Sequence, residues 1–149
     1  MSSQATRIEH DLLGEKAVPA DAYYGVQTAR GLENFHISGV ELRLYPNVIK
    51  AFAMVKLAAA RANFDCGQFS AEILKGMEGA CQELIEGKLH DEFRLDVFQG
   101  GAGTSTNMNA NEVIANRALE LMGHKKGESQ FCSPPDHANC SQSTNDAYP

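Results

Sequence analysis

Two polar segments of the chain combine residue types that can hold an anion. The first, residues 99–107, reads Gln-Gly-Gly-Ala-Gly-Thr-Ser-Thr-Asn and places glycines directly before a predicted helix. A glycine turn at a helix start lets backbone N–H groups and Thr or Ser hydroxyls converge on an anion, and the helix dipole adds favourable potential. The segment predicts a carboxylate or phosphate site, although on residue types alone a glycine-rich helix cap is the commoner explanation.

The glycine-rich segment does not fit the known nucleotide motifs. A dinucleotide fingerprint needs a glycine where Thr106 stands and a strand before it, and a P-loop needs Gly-Lys followed by Ser or Thr. Neither of these two nucleotide-binding motifs is therefore present.

The second polar segment, residues 139–146, reads Asn-Cys-Ser-Gln-Ser-Thr-Asn-Asp and carries no charge until Asp146. Ser, Thr and Asn donate hydrogen bonds to a carboxylate without the positive charge that would compete with a nearby base. The segment suits anion recognition, although taken alone such a cluster is more often a turn or a helix cap.

The cysteines and histidines predict neither a metal site nor a general base. Cys132, His137 and Cys140 have the spacing C-x4-H-x2-C, which matches none of the usual zinc patterns. The remaining histidines carry no partner pattern that marks a general base.

The elements that must position these segments are mainly helices. Apolar residues recur at helical spacing over residues 47–63, from an N-cap at Ser70 to a stop at Gly87, and from near Thr104 to Gly123. Residues 7–19 predict a small β-hairpin that turns at positions 14–15 with type II′ geometry. In the third helix Asn107, Asn109 and Asn111 are poor helix formers, so something other than propensity must keep them there.

Composition limits the classes of partner. With 149 residues the chain has room for one domain, and its net charge of -6, with no basic cluster larger than Lys125-Lys126, argues against nucleic acid. The longest apolar stretch, residues 51–60, is interrupted by Lys56 and is too short to span a membrane. A polar N-terminus without a secretory signal and four scattered cysteines predict a cytoplasmic protein with reduced thiols.

Taken together, the polar segments and several other blocks resemble the aspartase/fumarase superfamily in order and spacing. The matching blocks are residues 7–14, 18–25, 27–30, 33–35, 100–113 and 141–146. Within that superfamily the sequence is most similar to the aspartases, which reversibly eliminate ammonia from L-aspartate to give fumarate. Fumarases tend to carry Ser where this chain has Ala102, Gln where it has Ser105 and Trp where it has Tyr24.

The resemblance implies a mainly α fold: a helical N-terminal domain over residues 1–149, with a short hairpin near its start and a central helical bundle beginning near residues 143–149. It also implies that Thr104, Ser143 and Thr144 bind the substrate carboxylate and that Asn145 lies near the leaving amine or the other carboxylate. Ser105, beside the first of these, is expected to cap its helix.

The resemblance places the catalytic base, a serine on a mobile loop rich in Gly and Ser, beyond Pro149, so the chain looks truncated and is expected to hold no catalytic residue of its own. It implies a homotetramer in which three subunits share each site. It implies no nicotinamide, flavin or pyridoxal cofactor and no metal ligand, although divalent metal activates some family members.

Two alternative functions remain open at this point. One is a fumarate hydratase-type lyase, which differs only in its leaving group. The other is a non-catalytic protein that binds a dicarboxylate or another subunit. Pro135 and Cys140 stand where the family has Asn and Lys, which argues against a secondary anion site on that loop.

Overall fold

The computed structural model describes residues 5–148, which form a mainly α fold with one short hairpin, as predicted. The elements are β1 (Thr6–Asp11), β2 (Gly14–Pro19), α1 (Val26–Asn34), α2 (Pro46–Asp65), α3 (Ala71–Ile85), α4 (Thr104–Leu121) and α5 (Thr144–Ala147). Within residues 5–148, no helix combines the length and the apolarity that a membrane crossing requires.

The hairpin turns two residues earlier than predicted. Asp11 pairs with Gly14, so the connecting residues are 12 and 13. A side-chain oxygen of Asp11 accepts from the N–H of Leu13 at 2.9 Å, and Gly14 adopts a φ of +106°. A type I turn closed by a glycine in the left-handed region has this pattern. The type II′ prediction at positions 14–15 is therefore wrong, because the glycine ends the turn instead of starting it.

The three predicted helices are confirmed, with small differences at their ends. Helix α2 begins at Pro46, which suits the first turn because proline has no N–H to leave unpaired. Helix α3 has Ser70 as its N-cap, whose hydroxyl accepts from the N–H of Ile73 at 3.4 Å. Gly123, with a φ of +86°, follows the end of α4.

Helix α4 forms the centre of the domain. Val113, Ile114 and Leu119 are almost completely buried, and α1, α2 and α3 all pack against this helix. A Cβ placed on Gly76 of α3 would lie 3.1 Å from the carbonyl oxygen of Ala118, so glycine allows these two helices to approach closely. The rest of the core comes mainly from α2 and α3, through Ile49, Phe52, Met77, Ala80 and Leu84.

Helix α1 was not predicted, because its start carries no local capping signal. Gly25 precedes the helix and offers no side-chain oxygen. Two distant carboxylates cap it instead, one from β1 and one from α4. Glu9 accepts from the N–H of Val26 at 2.8 Å, and Glu112 accepts from the backbone N–H groups of residues 25, 27 and 28 and from the hydroxyl of Thr28.

Candidate functional site

The two polar segments meet at the N-terminal end of α4. The side-chain amide of Asn107 donates to the hydroxyl oxygen of Thr144 at 3.1 Å. The ring of Tyr148 lies so close to Gly103 that a Cβ on this glycine would overlap it. Thr104 is three residues before Asn107, on the same face of α4 and one turn closer to the end of the helix. The fold therefore brings the glycine-rich segment and the second segment to one place.

The predicted site residues lie at the starts of two helices. Thr104 is the first residue of α4 and is exposed. Ser143 is the exposed N-cap of α5, followed by Thr144, which is half-buried, and Asn145, which is exposed. Of these three residues of the second segment, Thr144 has a side chain that hydrogen-bonds to α4.

The hydroxyl oxygens of Ser143 and Thr144 each accept a hydrogen bond from the protein. The oxygen of Thr144 accepts from Asn107, and the oxygen of Ser143 accepts from the backbone N–H of Asn145 at 3.3 Å. A hydroxyl that accepts a hydrogen bond from the protein keeps its own hydrogen to donate. Two such donors side by side suit a carboxylate.

The start of α4 is capped from the preceding loop. The side-chain oxygen of Gln99 accepts from the N–H of Thr106 at 2.9 Å, and its amide donates to the hydroxyl of the same threonine. The prediction that Ser105 caps the helix is therefore wrong. No group in residues 5–148 accepts from the backbone N–H of Thr104 or Ser105, so both donors remain free for a ligand.

Asp96 fixes the chain that leads into the glycine-rich loop. Its carboxylate accepts from the backbone N–H groups of residues 37, 38, 39 and 98 and from the hydroxyl of Ser38. Although burial opposes ionisation, these five donors hold the pKa of Asp96 well below its usual range. The carboxylate thus remains charged and keeps the loop attached to residues 37–39.

A buried polar network lies beneath the second segment. Lys56 of α2 is completely buried, and its ammonium donates to the side-chain oxygens of Asn139 at 3.1 Å and Gln142 at 2.9 Å. The same oxygen of Asn139 accepts from Asn107 at 2.9 Å and from Asn111 at 3.1 Å. The network attaches residues 139–144 to both α2 and α4.

This network explains why asparagines interrupt the apolar pattern of α4. Asn107, Asn109 and Asn111 are completely buried. The first and third bind Asn139, and Asn109 donates to the carbonyl oxygen of Glu92 at 3.2 Å. Their role is to hold neighbouring segments by hydrogen bonds, which outweighs their poor helix propensity.

Sequence reasoning missed Lys56 as a site residue, although its spacing carried a signal. The buried face of α2 runs through Ile49, Phe52, Lys56, Ala60 and Asn63. Lysine and asparagine at core positions of an otherwise apolar face indicate buried polar groups with specific partners.

Burial lowers the pKa of Lys56 to about 8. Since its pKa in the unfolded chain is about 10.5, the unfolded state binds more protons between pH 8 and 10.5. The free energy of unfolding of wild type, relative to Lys56→Met, is therefore expected to rise by about 3 kcal/mol across that range. Cys81 of α3 also faces this lysine, but burial raises its thiol pKa to about 12, so the thiol stays neutral over this pH range.

Urea unfolding of wild type and of Lys56→Met at pH 7.5 and 10.5, roughly the limits of the titration, measures this change in relative stability. A difference in the free energy of unfolding that does not depend on pH would contradict the prediction.

The cysteines and the histidine near the second segment lie in different environments. Within residues 5–148, no three or more His, Cys, Asp or Glu side chains lie close enough together to hold a metal ion. Cys132 is completely buried, which raises its pKa to about 12. His137 lies in a π-helical turn (Pro134–Ala138), where its Nδ1 accepts from the N–H of Ser133 at 2.8 Å.

Comparison with known proteins places this arrangement in a family context. Residues 14–149 match the model of the lyase family. An aspartate ammonia-lyase of Helicobacter pylori is 57% identical to this chain over 143 residues, which are 96% of this chain and 31% of the relative. The chain therefore spans about a third of the length of the curated relatives it matches.

Two solved structures have the same fold. One, described as a fumarate lyase/delta-crystallin of Brucella melitensis bound to cobalt, aligns with a TM-score of 0.95 at 53% identity over 97% of this chain and 31% of its own. The other, a class II fumarase of Schistosoma mansoni, aligns with a TM-score of 0.86 at 38% identity over 97% of this chain and 30% of its own.

Proposed function

The chain belongs to the lyase family, within the aspartase/fumarase superfamily, and we propose that it forms the N-terminal, substrate-binding part of an aspartate ammonia-lyase. The observation that carries the proposal is the pair of hydroxyls, Ser143 and Thr144, whose oxygens are occupied by protein donors and whose hydrogens are free. Thr104 lies at the adjoining end of α4, beside two free backbone N–H groups.

Neutral donors of this kind suit the elimination of ammonia from L-aspartate. Removing the proton from the carbon beside a carboxylate gives an enediolate, whose oxygens carry more charge than those of the substrate. A preorganised donor that meets such an oxygen contributes roughly 3 kcal/mol in the transition state. Because the donors of Thr104, Ser143 and Thr144 are neutral, they stabilise the enediolate without a positive charge that would bind the base instead.

Aspartate is proposed as the substrate, rather than malate as in a fumarase. The aspartate ammonia-lyase relative is 57% identical and the class II fumarase 38% identical to this chain. Ala102 is exposed two residues before Thr104, where fumarases tend to carry a serine. A serine there would add a hydroxyl at the mouth of the proposed site.

An unpartnered face of α2 supports the proposal of a larger helical assembly. Val48, Ala51, Val55, Ala58 and Ala62 are exposed and alternate at spacings of three and four residues. Such a seam of apolar, mostly small residues is typical of a helix that packs against another helix. We infer that further helices cover it, in a homotetramer whose sites are shared between subunits.

The second segment is also where the central bundle is proposed to begin. Helix α5 begins at Thr144, with the hydroxyl of Ser143 as its cap. A helix that begins with site residues supports a domain boundary near residues 143–149, as the family resemblance implies. The proposed enzyme is cytoplasmic. It uses no organic cofactor, because in the proposed reaction the chain's own donors stabilise the enediolate.

The isolated chain is expected to release no fumarate from L-aspartate, because none of its candidate site residues matches the serine that serves the family as proton-abstracting base. A chimaera, in which this chain replaces the matching N-terminal residues of the Helicobacter pylori relative, is expected to be active. Ultraviolet absorbance of fumarate measures both reactions against a buffer control. Activity of the isolated chain, or a folded chimaera without activity, would contradict the proposed function.

A further inference from the structure

We propose that Lys56 is a positioning residue for the candidate site: its buried ammonium holds residues 139–144 against α4, so that the hydroxyls of Ser143 and Thr144 face the substrate. The inference rests on the proposed function. Lys56 lies beneath the segment, on the core side of α2, and does not belong to the proposed substrate contacts.

The surroundings of Lys56 are poorly suited to a purely stabilising role. Its ammonium is completely buried, yet both of its partners, Asn139 and Gln142, are neutral amides. No carboxylate within residues 5–148 forms an ion pair with it. A buried charge without a counter-ion destabilises the fold relative to an apolar side chain of similar size. Departures from local stability rules of this kind concentrate at functional sites.

A continuous chain of hydrogen bonds connects Lys56 to a proposed substrate contact. The ammonium binds the oxygen of Asn139, and this oxygen also accepts from the amide of Asn107 at 2.9 Å. The same amide of Asn107 donates to the hydroxyl oxygen of Thr144 at 3.1 Å. Displacing Asn139 would therefore shift the donor that orients the threonine hydroxyl.

Helix α2 holds the segment at a second point. Asn63, two turns after Lys56 on the same face, donates to the carbonyl oxygen of Cys140 at 2.9 Å. Gln142 closes the segment on itself, because its amide donates to the carbonyl oxygens of Ala138 and Cys140. Lys56 and Asn63 together fix residues 139–142 to one rigid helix.

The backbone of the segment needs this support. Ser141 adopts a φ of +57°, a left-handed conformation that non-glycine residues rarely adopt without external support. The contacts from Lys56 lie on both sides of it, at Asn139 and Gln142. Without the ammonium, the segment is expected to relax toward other conformations.

Hydrogen exchange on the isolated chain tests the positioning itself. Lys56→Met, which keeps an unbranched side chain of similar length, is expected to speed amide exchange in residues 140–148 at least tenfold and to leave α3 unchanged. The matched control is Lys88→Met, because Lys88 is exposed and its ion pair with Glu86 lies at the surface. Unchanged exchange in residues 140–148 would overturn the inference, whether or not the proposed function holds.

Kinetics of the chimaera test the consequence for catalysis. Lys56→Met is expected to lower kcat/KM for L-aspartate by about a hundredfold, as a displacement near 1 Å at a site does, and Lys88→Met by less than twofold. In a double-mutant cycle with Thr144→Val, the combined loss is expected to be much smaller than the product of the two single losses. Losses that simply multiply would indicate a general structural role and overturn the inference.

A second variant covers the case in which Lys56→Met does not fold. Gln142→Leu removes one acceptor of the ammonium at a half-buried loop position, where folding tolerates the change better. It is expected to lower kcat/KM about tenfold and to speed exchange in residues 140–148. A folded Gln142→Leu with unchanged exchange would refute the role of Lys56, whereas altered exchange in an inactive chimaera would refute only the proposed function.

Discussion

In the chimaera, Thr104→Val is expected to lower kcat by roughly a hundredfold to a thousandfold, whereas Ser105→Ala leaves it near the wild-type value. Valine keeps the branched shape of threonine and removes only the hydroxyl, at the exposed first position of α4. Ser105 neither caps the helix nor donates to the neighbouring segment, and its Cβ lies on the side of Gly31 in α1. It is therefore a matched control from the same helix turn.

Parallel substitutions separate a shared site from independent effects. Ser143→Ala and Thr144→Val are expected to behave like Thr104→Val, and their combined effects should fall short of additive because, under the proposed function, all three donors act on one enediolate. Steady-state kinetics measure the losses, and circular dichroism confirms folding. A folded Thr104→Val protein with near wild-type turnover would remove the carboxylate role of this loop and leave helix initiation as its function.

Glu112→Leu is expected to destabilise the isolated chain by about 3–5 kcal/mol and to lower its Tm by roughly 10 °C. The carboxylate of Glu112 accepts four hydrogen bonds at the start of α1, three from the backbone and one from Thr28. Burial raises the pKa of this carboxyl to about 7, while the four donors act in the opposite direction. Leucine would fill the space and leave every donor unpaired in the interior.

The control variants for Glu112 are Glu112→Gln and Glu86→Leu. Glutamine retains one acceptor oxygen and should lose part of the stability, whereas Glu86 is exposed at the end of α3 and should change it by less than about 1 kcal/mol. Thermal unfolding at pH 8 measures all three. If Glu112→Leu unfolds within 2 °C or so of wild type, the carboxylate does not hold α1 as described.

The parts of the fold that follow local patterns were predictable from sequence. Helices α2, α3 and α4 carry apolar periodicity with a start or stop residue beside each, namely Pro46, Ser70 and Gly123, and the hairpin carries a glycine at its turn. Helix α1 was not predicted, because Glu112, which caps it, lies 87 residues away from Gly25. A signal at that distance is absent from any local window.

The candidate site, too, was predictable only where it depends on local patterns and not where it depends on contacts between distant residues. The two polar segments were visible in residue types and in the family resemblance. Their contact in space was not, because Asn107 and Thr144 are 37 residues apart. Lys56 was read as an interruption of an apolar stretch, because its partners lie 83 and 86 residues later in the chain. Its spacing on the apolar face of α2 indicated burial, but no local pattern identifies partners at that distance.

The distant capping of α1 also determines how late the start of this helix can be stabilised during synthesis. The backbone N–H groups of residues 25, 27 and 28 acquire their acceptor only when Glu112 has been made, 87 residues after Gly25. Tyr23 likewise waits for Asn116 and Glu120, which are 93 and 97 residues further along. At cellular translation speeds this is a delay of roughly 5–15 s, during which α2 and α3 have already been synthesised and can pair. The nascent N-terminal segment is therefore open to chaperones and proteases until α4 leaves the ribosome.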